Sequence, residues 1–171
     1  VLDGRADIGV FRGSTGQWII YLSAGGTRSD TWGAPSLGDV PIPADYDGDG
    51  VSDIAVYRQS TGEWFILKST GGWNYAVWGA PSFGDMPVPG DYDGDNQADV
   101  AVYRGTSGQW FIVNSGGGTQ TISWGTPAQG DIPVPGDYAG DGRTDAAVYR
   151  SSNGEWLFSY SAGGAQTSGW G

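Results

Sequence analysis

A chain of 171 residues, 38% of them hydrophobic, is long enough to form one domain with a sizeable core, taken as 1–171. The net charge of −11, with only eight basic residues, leaves no basic stripe for nucleic acid. The absence of Cys and His excludes disulfides, thiolate or imidazole metal sites, and any Ser–His or Cys–His nucleophile pair.

No apolar run approaches the length of a membrane-spanning helix, and no charged-then-apolar leader opens the chain, so membrane insertion is not expected. The chain starts at Val1, as a processed protein or a fragment would. Its organisation is a repeat of period 46. Asp7, Asp53, Asp99 and Asp145 are spaced by that interval, as are Arg12, Arg58, Arg104 and Arg150. Two Trp series obey it as well: Trp18, Trp64, Trp110, Trp156 and Trp32, Trp78, Trp124, Trp170. The units are 1–33, 34–79, 80–125 and 126–171.

In the first unit, Val1-Leu2-Asp3-Gly4-Arg5-Ala6-Asp7 matches the second half of an acidic loop seen whole in later units. Strands follow at Ile8–Arg12 and Gln17–Leu22, joined by the turn Gly13–Gly16, and a short strand runs up to Trp32-Gly33. The second unit shows the full plan. A loop over 34–39 leads to an extended stretch, Val40–Ala44, whose two prolines remove ladder donors and keep the pairing short. The acidic loop comes next, then strands at Ile54–Arg58, Glu63–Lys68 and Trp73–Trp78, separated by Gly-rich turns. The third and fourth units repeat the plan, and no helical periodicity occurs in any unit.

The acidic loop is the chemical centre of the unit. Asp45, Asp47, Asp49 and Asp53 stand at positions 1, 3, 5 and 9, with Gly50 at position 6. So many carboxylates in one turn repel one another unless a cation offsets them. A hard dication taking several oxygen ligands, Ca²⁺ above Mg²⁺ or Zn²⁺, fits the donor set. Gly50 permits the sharp turn that lets the Val51 carbonyl face the ion. The second loop offers Asp91, Asp93, Asp95, Gln97 and Asp99, with Asn96 at the turn position. The third offers Asp137, Asp141, Arg143 (through its carbonyl) and Asp145. Ala139 has lost one carboxylate there, so weaker binding is expected. An EF-hand is excluded, since position 12 is Val56 within a strand. The competing reading is a metal-free Asp/Gly turn. Of the 19 acidic residues, 13 belong to these loops (3, 7, 45, 47, 49, 53, 91, 93, 95, 99, 137, 141 and 145), so the charge reports on metal rather than on partners.

Four short antiparallel strands per unit predict an all-β fold, a β-propeller of four blades with the first lacking its first strand. The stretch Pro-Val-Pro-Gly-Asp-Tyr-Asp-Gly-Asp (87–95), the Asp-x-Asp-x-Asp-Gly-x-x-Asp loop, the Ala-Val-Tyr-Arg strand and the terminal Trp-Gly resemble FG-GAP/VCBS-type repeats of bacterial extracellular proteins and integrin α-subunits. The resemblance implies calcium in the loop joining the first two strands of a blade, and an extracellular or cell-surface location.

The phase of the repeat leaves three options: a fragment of a longer array, a four-bladed ring closed imperfectly, or homo-oligomers and filaments whose chains complete each other's blades. The repeated Trp residues are expected to pack between blades. The single Trp73 is a weak ligand-contact candidate. Arg12, Arg58, Arg104 and Arg150 end the same strand in each unit, and are expected to pair with the repeated Asp39, Asp85 and Asp131 and tie strand ends together. The chemistry predicts no enzyme, because no convergent carboxylate pair stands outside the metal loops. The function read from the sequence is a calcium-stabilised extracellular scaffold binding extracellular proteins. A lectin-like propeller binding glycans is the alternative.

Overall fold

The computed structural model describes residues 5–169; Asp3, with the start of the first loop, and the last member of the Trp series, Trp170, lie outside the described residues. The chain divides into two compact units, Val1–Val77 and Trp78–Gly171.

In the first unit, β1 (Ile8–Arg12), β2 (Gln17–Tyr21) and β3 (Thr27–Thr31) form a three-stranded antiparallel sheet. Next to it β4 (Asp39–Pro41), β5 (Ile54–Arg58), β6 (Glu63–Leu67) and β7 (Trp73–Val77) form a four-stranded sheet in chain order. The second unit holds two four-stranded sheets, β8 (Met86–Pro87) to β11 (Thr119–Ser123) with β9 (Val100–Arg104) and β10 (Gln109–Val113), and β12 (Asp131–Pro133) to β15 (Ala165–Gly169) with β13 (Ala146–Arg150) and β14 (Glu155–Ser159). The expected three-stranded first blade is therefore what the described residues contain. As the prolines require, the first strands are short. They continue only through single bonds such as Ile42 N–H to Ala55 O at 2.9 Å. One difference is the connection before each first strand. Expected as plain loop, it holds a single 3-10 turn (Pro35–Leu37, Pro81–Phe83 and Pro127–Gln129), started by Pro and ended by a left-handed Gly.

The cores lie between neighbouring sheets of a unit. β5 and β9 are buried almost throughout, and their Ala-Val runs carry no polar side chain into the core. Trp64 and Trp110 are fully buried and stack at a tilt on Tyr57 and Tyr103. The second Trp series is anchored by its indole N–H groups within each unit. Trp32 Nε1–H donates to Phe65 O at 3.0 Å, Trp78 to Phe111 O at 2.9 Å and Trp124 to Leu157 O at 3.0 Å. Each indole thus combines apolar burial with a bond to the third strand of a four-stranded sheet. Trp124→Phe deletes that donor and trims the bicyclic indole to a phenyl ring, and is expected to cost about 1 kcal/mol or more in urea unfolding. An unchanged midpoint would show that the anchor is purely apolar.

The predicted Arg–Asp ties are present and bidentate. Arg58 grips Asp39 at 2.8 and 3.1 Å, Arg104 grips Asp85 at 2.8 Å twice, and Arg150 grips Asp131 at 2.7 and 2.9 Å. The same Asp oxygens also accept the backbone N–H of Ala34, Ala80 and Thr126, which fixes the 3-10 turn to the strand pair. Arg12, in the three-stranded sheet, instead donates to Gln17 at 2.8 Å.

Candidate metal centre

Each acidic loop joins the first two strands of its sheet and folds around its own first carboxylate. Asp45 Oδ1 accepts the N–H of Gly48 (2.7 Å) and Asp49 (3.2 Å), and Oδ2 accepts that of Gly50 (2.7 Å). Asp91 and Asp137 hold the corresponding backbone groups of their loops. Winding the chain so tightly needs left-handed residues at positions 4 and 6. Gly48 and Gly50 have φ of 76° and 81°, and Asn96, the one non-Gly residue at positive φ among the described residues, has φ of 67°.

Position 9 closes the loop from below. Asp53 is buried, accepting Tyr46 N–H on Oδ2 (2.9 Å) and Ser69 N–H on Oδ1 (2.7 Å). Asp99 does the same with Tyr92 (2.9 Å) and Ser115 (2.8 Å), and Asp145 with Tyr138 (3.0 Å) and Ser161 (2.7 Å). Burial pushes the Asp99 carboxyl up to about 6, opposed by those two N–H bonds and helped by the like charges of Asp93 and Asp91. Burial moves Asp53 in the same direction, with Asp47 and Asp45 adding repulsion.

Two loops gather their carboxylates. Oxygens of Asp45, Asp47 and Asp49 lie within 4.8 Å of one another, and so do those of Asp91, Asp93 and Asp99. Asp53 and Asp95 are outside these groups; Asp95 bonds Gln97 N–H and Ser115 Oγ–H. Among the described residues, Asp137, Asp141 and Asp145 form no such group, because Ala139 supplies no oxygen at position 3. Arg143 instead lies against the second loop, its side chain beside Gly94, while Thr144 N–H donates to Asp91 O. Val51 and Gln97 donate their N–H groups to the preceding Asp49 and Asp95.

A decisive atom is Asp47 Oδ1, which is buried and has no hydrogen-bond partner, whereas Oδ2 accepts Thr70 Oγ1–H. A desolvated carboxylate oxygen without a donor is costly, and the other oxygens around it are acceptors too. The donor set therefore fits a cation taking oxygen ligands. Sequence reading missed the hydroxyls that brace the loop. Ser69 Oγ–H donates to Asp49 Oδ2 (2.6 Å), as Ser115 does to Asp95 and Ser161 to Asp141. The signal was available, since Ser23, Ser69, Ser115 and Ser161 obey the 46-residue period. Trp73 is exposed on β7, followed at alternate positions by exposed Tyr75 and Val77.

Four such antiparallel blades, the first of three described strands, define a β-propeller fold. An FG-GAP-like repeat matches residues 45–102, spanning one complete acidic loop, the strands after it and the next loop. The match lies within an unbroken 46-residue period, so the pattern it recognises recurs in the units on either side of it. No curated protein matches the chain by sequence. Among solved structures, it is similar to a streptogramin B lyase (TM-score 0.59, 10% identity, 96% of this chain and 51% of that one). It is also similar to virginiamycin B lyase from Staphylococcus aureus in a catalytically inactive form with quinupristin (0.60, 10%, 99% and 54%). A third is BBS1N in complex with ARL6DN (0.51, 14%, 96% and 49%). The chain spans about half the length of these proteins, and at such identities the likeness concerns the fold alone.

Proposed function

We propose that this is a non-catalytic propeller scaffold that works outside the cell and is stabilised by Ca²⁺ in its first two complete loops. The observation that carries the reading is Asp47 Oδ1, buried without a donor among the carboxylates of Asp45 and Asp49. Calcium takes six to eight oxygens in flexible geometry, which suits a loop of carboxylates and backbone carbonyls, and such sites fill most readily where calcium is abundant. The third loop, with Asp137, Asp141, Asp145 and the Arg143 carbonyl, is the weaker site.

The acidic residues outside the loops support a non-enzymatic role. Asp39, Asp85 and Asp131 are held by Arg, Asp30 by Arg28 at 2.6 Å, and Glu63 and Glu155 by Arg58 and Arg150. A carboxylate so paired is a poor proton donor, and the pairs serve strand ends.

Melting the protein with calcium and then with chelator tests the reading. At one hundred times the dissociation constant each occupied site adds about 2.7 kcal/mol, so chelation is expected to lower the melting temperature. Asp47→Ala is expected to abolish the first loop's share of that shift. Equal melting temperatures with and without calcium would refute the assignment. A second reading, glycan binding, is favoured only by the exposed neighbours Trp73 and Tyr75 on β7. A glycan array with Trp73→Ala beside the parent distinguishes it.

A further inference from the structure

The third acidic loop is built onto the second. Thr144 N–H donates to Asp91 O at 2.6 Å, which bonds position 8 of one loop to position 1 of the other. Beside that bond, a Cβ on Gly90 would stand 2.6 Å from Thr144 Oγ1 and 2.8 Å from its Cγ2, so any side chain there would collide. One residue earlier, Arg143 lies across Gly94, where a Cβ would meet its Nε at 2.8 Å, its Cγ at 3.1 Å and its Cζ at 3.4 Å. Stem and guanidinium thus both rest on the backbone of the second loop, between Asp93 and Asp95 in the chain.

Charge makes this contact more than packing. The second loop carries Asp91, Asp93, Asp95 and Asp99, and oxygens of three of them lie within 4.8 Å of one another. Among the described residues Arg143 forms no ion pair, so its exposed guanidinium acts on that loop through its field. The first and second loops hold uncharged Val51 and Gln97 at the same position. Arg143's own loop has less need of the charge, because Ala139 leaves it one carboxylate short and its remaining carboxylates do not gather. A loop that has lost a carboxylate thus lends a cation to a neighbour that has kept all four.

We infer that Arg143 is a tethered counter-ion of the second loop, which steadies its carboxylates when no metal is bound and weakens their hold on a dication. The second half of this inference rests on the calcium reading above and deepens it by naming a control on the site; the first half does not depend on it. A fixed positive charge beside Gly94 offsets the mutual repulsion of Asp91, Asp93 and Asp99, and the same charge repels Ca²⁺ approaching them. Both effects are those of an exposed charge, so both are screened by salt.

Two measurements on the whole chain test it, each made with Arg143→Gln and Arg143→Lys. In chelator, Arg143→Gln is expected to melt below the parent at about 0.01 M salt and to approach it at about 1 M, while Arg143→Lys stays near the parent. Calcium uptake is read by calorimetric titration in an Asp47→Ala background, so that the second loop dominates. There Arg143→Gln is expected to bind about three- to fivefold more tightly in low salt, and Arg143→Lys to bind like the background. A melting gap that ignores salt, or that Arg143→Lys shares, would overturn the proposal by assigning the contact to the arginine stem. Unchanged calcium affinity in Arg143→Gln would overturn it as well. Failure of the calcium reading looks different: no protein in the series takes up calcium, and the melting measurement in chelator still decides whether Arg143 steadies the loop.

Discussion

Asp99→Ala is expected to destabilise the protein by roughly 2–5 kcal/mol and to remove the calcium response of the second loop. The carboxylate is fully buried and serves the N–H groups of Tyr92 and Ser115. Truncation leaves both donors without a partner, at about 1–3 kcal/mol each. Tyr92 would lose the bond that fixes its backbone above the buried Ala101 and Ile112. Asp99→Asn retains one acceptor oxygen and is expected to cost less. Its pH dependence carries more information than its size. The folded carboxyl of the parent sits at about 6, above its ordinary value of 3.8, so the folded state binds more protons between those values. Stability from this group is therefore complete below about 4 and declines as the pH rises to about 6. In chelator, the gap between parent and Asp99→Asn is expected to narrow over that interval. With calcium it should reopen at neutral pH, because the ion favours the ionised parent. A gap independent of pH and calcium would mean that position 9 only braces the loop.

How far the sequence discloses this architecture can be judged from particular residues. The 46-residue period located every strand pair, because antiparallel neighbours with short turns follow one another in the chain. The recurrence of Arg and Asp at fixed positions also marks them as a candidate pair, and Arg58 grips Asp39. What stayed hidden depended on contacts across a sheet. Ser69 beside Gly71 and Gly72 reads as an ordinary turn residue, and its bond to Asp49 spans two intervening strands. The loop pattern points to position 6 for the sharp turn, but Gly48, Gly94 and Gly140 at position 4 are left-handed too, with φ of 76°, 82° and 74°. In the sequence the carboxylates at positions 1 and 9 are equivalent ligands. Depth separates them: Asp45 is half-exposed and winds the loop about itself, whereas Asp53 is buried and clamps the loop to the turn between β6 and β7.

Arg150→Ala carries the other large expected effect, about 3–5 kcal/mol at neutral pH. Arg150 and Asp131 are both buried, and their two parallel bonds hold β12 onto β13. Without the guanidinium, Asp131 keeps the N–H of Thr126 but remains an ionised group out of water. The pH profile identifies the cause. In the parent, the hydrogen bonds from Arg150 hold the Asp131 carboxyl below its ordinary value against the opposing pull of burial. The pair's contribution is then present above about 3.8 and is lost as the pH falls through the lower folded value. In the variant burial dominates, the carboxyl rises, and stability declines instead as the pH increases. The deficit measured by urea unfolding is therefore expected to be greatest near pH 7 and to shrink toward pH 3. Asp131→Asn in the Arg150→Ala background is expected to recover part of it, since an amide costs less to bury than a carboxylate. A deficit that neither varies with pH nor responds to the second substitution would assign the loss to packing of the arginine stem against β12 rather than to the charge pair.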